Sequence, residues 1–147
     1  MDIRCGTDLV EIERISKAVG RLGQSFLDRV WTKAEQSDCL PSDGLQVKGL
    51  LSAAAAASLA ARFAAKEAVS KALGTGFGRA GVHWTDISVQ RLPGGAPQII
   101  LQGAAQSVFD QIGGRQITIS LAHERTLAIA FCVLTCQNNS PKDDMNE

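Results

Sequence analysis

The feature that most restricts this 147-residue chain is a run of alanines in its middle. From Val47 to Leu73 the sequence is dominated by alanine, the best helix former, and no proline or glycine interrupts it after Gly49. The pattern predicts one long helix, stopped by Gly74. Small side chains let neighbouring backbone come close, so the helix is expected at the centre of a domain with other elements packed tightly round it. Its last turns carry Arg62, Lys66, Glu67 and Lys71, a cluster of charge at the end of an otherwise nearly uncharged segment.

The flanks read differently. Residues 2–8 alternate weakly, with Ile3 and Cys5 on one face, and are expected to form a strand. Leu9 to Val19 carry apolar residues at Ile12, Ile15 and Val19, a helical spacing. Phe26, Leu27, Val30 and Trp31 suggest a second, shorter helix, and Thr32 followed by Glu35 is a capping-box pattern that opens a third. Pro41 to Gly44 has the composition of a loop. After the long helix, Ile87 and Val89 begin a strand, Pro93-Gly94-Gly95 turns the chain, and Gln98–Gln102 follows. Ala104–Ile112 reads as a helix closed by Gly113-Gly114. Gln116–Ala122 and Leu127–Thr135 read as a closing antiparallel pair. Helices first, then a mostly antiparallel sheet, imply an α+β class with a single domain over 1–137; the polar tail 138–147 is expected to be disordered.

Composition excludes some functions. Fifteen basic residues balance fifteen acidic ones, so no general field favours nucleic acid, and an anionic ligand must be held by a local cluster. Cys5, Cys39, Cys132 and Cys136 form no C-x-x-C pair, and only two histidines accompany them, which argues against zinc. Cys132 and Cys136 fall on one face of their strand, as reduced, buried thiols. The opening residues lack a basic segment followed by an apolar one. The charge-free stretch Gly49–Ala61 is too short to cross a bilayer. The expectation is a cytoplasmic protein without a membrane span.

Each candidate site has an ordinary reading beside the chemical one. Asp8 and Glu11 could form a helix N-terminal cap box, or Asp8 could be a metal ligand where strand meets helix. Glu67 and Lys71 could be a surface ion pair. Gly76, Gly78 and Gly81 match G-x-G-x-x-G formally, but the stretch follows a helix where the dinucleotide fingerprint must follow a strand, and no Walker-type sequence exists. Backbone N–H groups of Gly74-Thr75-Gly76 could still approach a phosphate. His123 stands at a strand end and His83 beside Trp84.

Three blocks taken together resemble a known family. Gly6-Thr7-Asp8-Leu9-Val10-Glu11-Ile12-Glu13-Arg14-Ile15 is similar to the opening motif of the holo-[acyl-carrier-protein] synthases. Arg62 to Gly76, with Arg62-Phe63-Ala64-Ala65-Lys66-Glu67-Ala68 at its head, resembles their central signature, and Ser120-Leu121-Ala122-His123 their closing block. Order and spacing agree over residues 3 to about 134. Ala122 departs from the usual serine or threonine, and the segment from Leu40 to Ala60 is alanine-expanded.

The resemblance implies the 4′-phosphopantetheinyl transferase fold, a long central helix on a mostly antiparallel sheet. It also implies transfer of the phosphopantetheine arm of coenzyme A to a serine of apo acyl carrier protein, releasing 3′,5′-ADP, in fatty acid biosynthesis. Asp8 and Glu67 become the ligands of Mg²⁺. Glu67 and Lys71 become the catalytic pair, with Lys71 neutralising phosphate charge. Arg62, Lys66, Lys71, Gly74, Thr75, Gly76 and His123 become the coenzyme A contacts. The carrier is acidic, and Arg14, Lys17 and Arg21 share a face of the first helix that suits it. A homotrimer is implied as well. The rival reading is a non-catalytic module of the same fold that binds coenzyme A or the carrier; loss of Asp8, Glu67 or Lys71 would favour it, and all three are present.

Overall fold

The computed structural model describes residues 1–41 and 50–137. The chain runs β1 (Asp2–Glu11), α1 (Ile12–Leu22), α2 (Gln24–Val30), α3 (Lys33–Cys39), α4 (Ala53–Leu73), two single 3₁₀ turns (Arg79–Gly81 and Trp84–Asp86), β2 (Ile87–Arg91), β3 (Pro97–Leu101), α5 (Gly103–Gln111), β4 (Gly114–His123) and β5 (Leu127–Cys136). The α+β class holds. The expected loop at Pro41–Gly44 lies mostly outside the described residues, and the polar tail 138–147 lies wholly outside them.

The main sheet has the order β1-β5-β4, antiparallel throughout, and β2 with β3 forms a separate hairpin. β1 pairs with β5 along its whole length, from Asp2 opposite Cys136 to Glu11 opposite Leu127. That pairing corrects two expectations. The first strand does not end at Asp8, and the first helix starts at Ile12, not Leu9; Leu9 and Val10 stay extended because Ile129 and Ala128 bond them. Just before β5 begins, the Thr126 carbonyl accepts the Ile12 N–H at 2.9 Å and the chain turns from β1 into α1.

α4 lies across one face of this sheet. Its start is also corrected, from Val47 to Ala53: Ser52 is the cap, its hydroxyl accepting the Ala55 N–H at 3.1 Å. Gly74 ends it in the left-handed conformation (φ 86°), as expected. Fifteen of its 21 residues are buried, so the helix is enclosed on nearly every side and only alanine is small enough for most of those positions. The closest approach is at Gly6 of β1, where a Cβ would run into the Ala68 carbonyl.

Gly6 and Val10 of β1 and the β5 residues Ala128, Ala130, Cys132 and Leu134 face α4 and are buried; Cys132 and Cys136 share that face, and all four thiols are free. The odd-numbered residues face away. There Ile3 is 65%, Leu9 59%, Ile129 43% and Phe131 47% exposed, so one face of the sheet is apolar and bare in the single chain. Among the described residues no helix is long and apolar enough to cross a membrane.

Candidate active site

Asp8 sits inside β1 on the face turned to α4, and the last turns of α4 bring Glu67 and Lys71 to it. Lys71 Nζ donates to the Thr7 carbonyl at 2.8 Å and to Asp8 Oδ1 at 3.1 Å. Two ordinary readings fail here. Asp8 caps no helix, since the residue before α1 is Glu11 and makes no side-chain cap. Lys71 takes Asp8, not Glu67, as its ion partner. Glu67 is half-buried, and its carboxyl is held above the usual carboxylate range, first by burial and then by the nearby Asp8 charge, with Lys71 opposing. Two carboxylates that repel one another, with one ammonium group beside them, leave negative charge that a further cation would offset.

The fit to a metal follows from the donors. Asp8 and Glu67 offer hard oxygens from two elements, and among the described residues no group of three or more His, Cys, Asp or Glu side chains gathers anywhere. Two carboxylates suit Mg²⁺, which keeps waters and substrate phosphates for its remaining positions.

The other expected coenzyme A contacts divide. Lys66 is wholly buried. Its Nζ donates to Glu35 Oε2 at 2.8 Å, Ile87 O at 2.6 Å and Trp84 O at 3.1 Å, so all three donors are used and none is left for a phosphate. Gly74, Thr75 and Gly76 turn their N–H groups onto the single carbonyl of Ser70, at 3.0, 3.1 and 3.4 Å, and so offer close approach, not donors. Arg62 is 3% exposed, bonded to Ser58 Oγ at 2.9 Å and Asp38 Oδ2 at 3.4 Å, with Nε buried and unpartnered. It lines a cleft of about 570 Å³ together with His123, Ser120 and Arg91. His123 and Arg62 are thus together, apart from the Asp8–Glu67–Lys71 cluster.

A second cleft, of about 670 Å³, runs along α1. Arg14, Lys17 and Arg21 line it, joined by Arg29 and floored by Phe26, Phe63 and Trp84. Lys17 is tied to Glu13 at 3.1 Å. Sequence reasoning missed Arg29, Arg91 and the aromatic floor. A basic residue after Val89 and the isolated aromatics were visible, but which cleft they would line depends on how distant segments pack.

Comparison with known proteins places these motifs. A model of the 4′-phosphopantetheinyl transferase superfamily matches residues 4–132. Holo-[acyl-carrier-protein] synthase of Rhodopseudomonas palustris strain TIE-1 is 43% identical over 139 residues, covering 92% of this chain and 90% of the relative. That of Koribacter versatilis strain Ellin345 is 42% identical over 134 residues, covering 91% and 98%. Among solved structures, the Helicobacter pylori holo-[acyl-carrier-protein] synthase in complex with coenzyme A superposes with a TM-score of 0.73 at 31% identity, over 89% of this chain and 99% of that one. The Bacillus anthracis holo-(acyl-carrier-protein) synthase in complex with CoA (3′,5′-ADP) gives 0.68 at 30%, over 91% and 96%. With this fold, the Asp8–Glu67–Lys71 cluster and a match over nearly all the chain, the protein belongs to the holo-[acyl-carrier-protein] synthase family of the 4′-phosphopantetheinyl transferase superfamily.

Proposed function

We infer that this protein transfers the 4′-phosphopantetheine moiety of coenzyme A to a serine of apo acyl carrier protein and releases 3′,5′-ADP, in support of fatty acid biosynthesis. The observation that carries the reading is the convergence of Asp8, Glu67 and Lys71 from β1 and α4 in a member of this family. The serine oxygen attacks the β-phosphorus, and the bond from that phosphorus to the bridging oxygen breaks. Glu67, the carboxylate beside the reacting phosphate, takes the serine proton. Lys71 is half exposed and held by one carboxylate and one carbonyl, so it can turn to the diphosphate and neutralise charge as 3′,5′-ADP leaves. Asp8 and Glu67 would hold Mg²⁺, which when bound supplies positive charge to the diphosphate oxygens.

Support for the remaining contacts is electrostatic. The buried, unpartnered Arg62 Nε with Arg91 and His123 suits the 3′-phosphate, and the basic rim of Arg14, Lys17 and Arg21 suits an acidic carrier. The bare apolar sheet face supports a homotrimer, and four free thiols fit a reducing compartment such as the cytoplasm. The test is intact-mass spectrometry of apo acyl carrier protein incubated with this protein, coenzyme A and Mg²⁺, with EDTA as control. A gain of one phosphopantetheine, absent with EDTA, is expected. No gain with several carriers, despite coenzyme A binding, would overturn the reading.

A further inference from the structure

α4 poses a problem of rotation. Ala60, Ala61, Ala64, Ala65, Ala68 and Ala72 are all buried, and a helix surface made largely of one small side chain offers few knobs. Uniform cores hold an element loosely about its own axis because no knob fits only one hole. Yet the site needs α4 fixed in rotation. A roll of about 10° would carry a carboxylate roughly 6 Å from the axis by about 1 Å. A displacement of that size can cost on the order of a hundredfold in rate.

The knobs that remain are the apolar Leu59, Val69 and Leu73 and one buried polar feature. Lys66 and Glu35 form an ion pair in which both side chains are fully buried. Lys66 reaches α3, the Trp84 turn and the start of β2 through its three bonds. Glu35 Oε2 also accepts the Thr32 N–H at 2.8 Å, and Oε1 accepts the Val89 N–H at 2.9 Å. Desolvation works against the lysine's charge and pushes its pKa below the usual range, in spite of Glu35. Apolar residues of equal volume would be expected to serve stability as well or better. What apolar residues could not supply is direction. Three acceptors, on α3, the Trp84 turn and β2, fit one setting of Lys66, two N–H groups hold Glu35 in turn, and Glu67 is the next residue along the helix.

We propose that the buried Lys66–Glu35 pair is a positioning device for the reaction, fixing the rotation of α4 that presents Glu67 and Lys71 to Asp8. The inference rests on the transferase reading for its kinetic consequence, but its geometric consequence is independent of it. Lys66 touches no substrate in this scheme; it acts through its neighbour.

The test is Lys66→Met with Glu35→Gln, which keeps the packing volume and leaves an amide to bond the Val89 N–H. Three quantities are read on the full chain: the urea midpoint, kcat and KM for coenzyme A, and Mn²⁺ affinity by electron paramagnetic resonance without carrier or coenzyme A. The expected result is a folded protein with kcat lower by about tenfold or more, KM within about threefold, and Mn²⁺ held at least about fivefold more weakly. Wild-type kcat and Mn²⁺ affinity in the folded double variant would overturn the proposal. So would parallel losses in stability, kcat and KM, which would assign the pair to the fold alone. If the double variant does not fold, Glu35→Gln alone is read in the same way, with smaller changes of the same sign expected and none overturning the idea. A wild-type protein that transfers nothing defeats the transferase reading, and the Mn²⁺ measurement then still decides the positioning role.

Discussion

Glu67 holds its charge against both burial and the Asp8 carboxylate, and only Lys71 offsets them. That arrangement is unfavourable until a cation enters, so function and stability should respond oppositely to its removal. Glu67→Gln is expected to lower transfer by at least about a hundredfold. In metal-free buffer at neutral pH its urea midpoint should equal or exceed that of wild type. A clear loss of stability would mean that the carboxylate serves the fold. Lys71 sits differently, half exposed with its charge on Asp8. Lys71→Ala should reduce kcat by about a hundredfold while KM for coenzyme A moves little. Steady-state kinetics separate the two, and a change confined to KM would contradict the charge-neutralising role.

At the scale of elements, α4 and β1 are pressed together at one glycine. A methyl group at Gly6 would collide with the Ala68 carbonyl and crowd the Ala72 nitrogen, both on a helix backbone that cannot yield locally. Gly6→Ala should therefore cost about 1–3 kcal/mol of stability, seen as a lower urea midpoint. An unchanged midpoint would show that the helix can move off the sheet. α1 makes a separate prediction. Reversing charge at Arg14, Lys17 and Arg21 removes the basic rim of the α1 cleft but touches none of the Asp8 cluster. KM for the carrier should rise and its dependence on salt flatten, with KM for coenzyme A unchanged. A salt dependence like that of wild type would leave this face without a part in recognition.

The elements also show what could be read from sequence. The alanine run and Gly74 located α4 because helix propensity and a left-handed cap are local properties. The Thr32–Glu35 capping box was legible for the same reason and is present, both bonds included. The length of β1 was not legible, since Leu9 and Val10 are extended only through β5, more than a hundred residues on. That error moved Asp8 from the middle of a strand to a helix start. Lys66 was placed among phosphate contacts on resemblance. Only the packing of α3, the Trp84 turn and β2 around it shows that its donors are taken. Glu35 was read as a cap, and its second role as the counterion of Lys66 has no local signature.

For the whole molecule the unpaired surface is the outer face of the β1-β5-β4 sheet. Leu9 lies opposite Ile129 and Thr7 opposite Phe131, so the exposed apolar side chains adjoin across two strands. A face of that kind is costly in water, and packing against other copies of this chain, as the proposed homotrimer requires, would cover it. Light scattering should give about three times the 15.6 kDa chain mass at micromolar concentration. Leu9→Asp with Phe131→Asp places charge on that face and leaves the α4 side intact. The variant is expected to run as a folded monomer that still binds carrier at α1 but transfers nothing. A monomer of wild-type activity would show that one chain holds the complete site. A trimer that persists would place the contact on another surface.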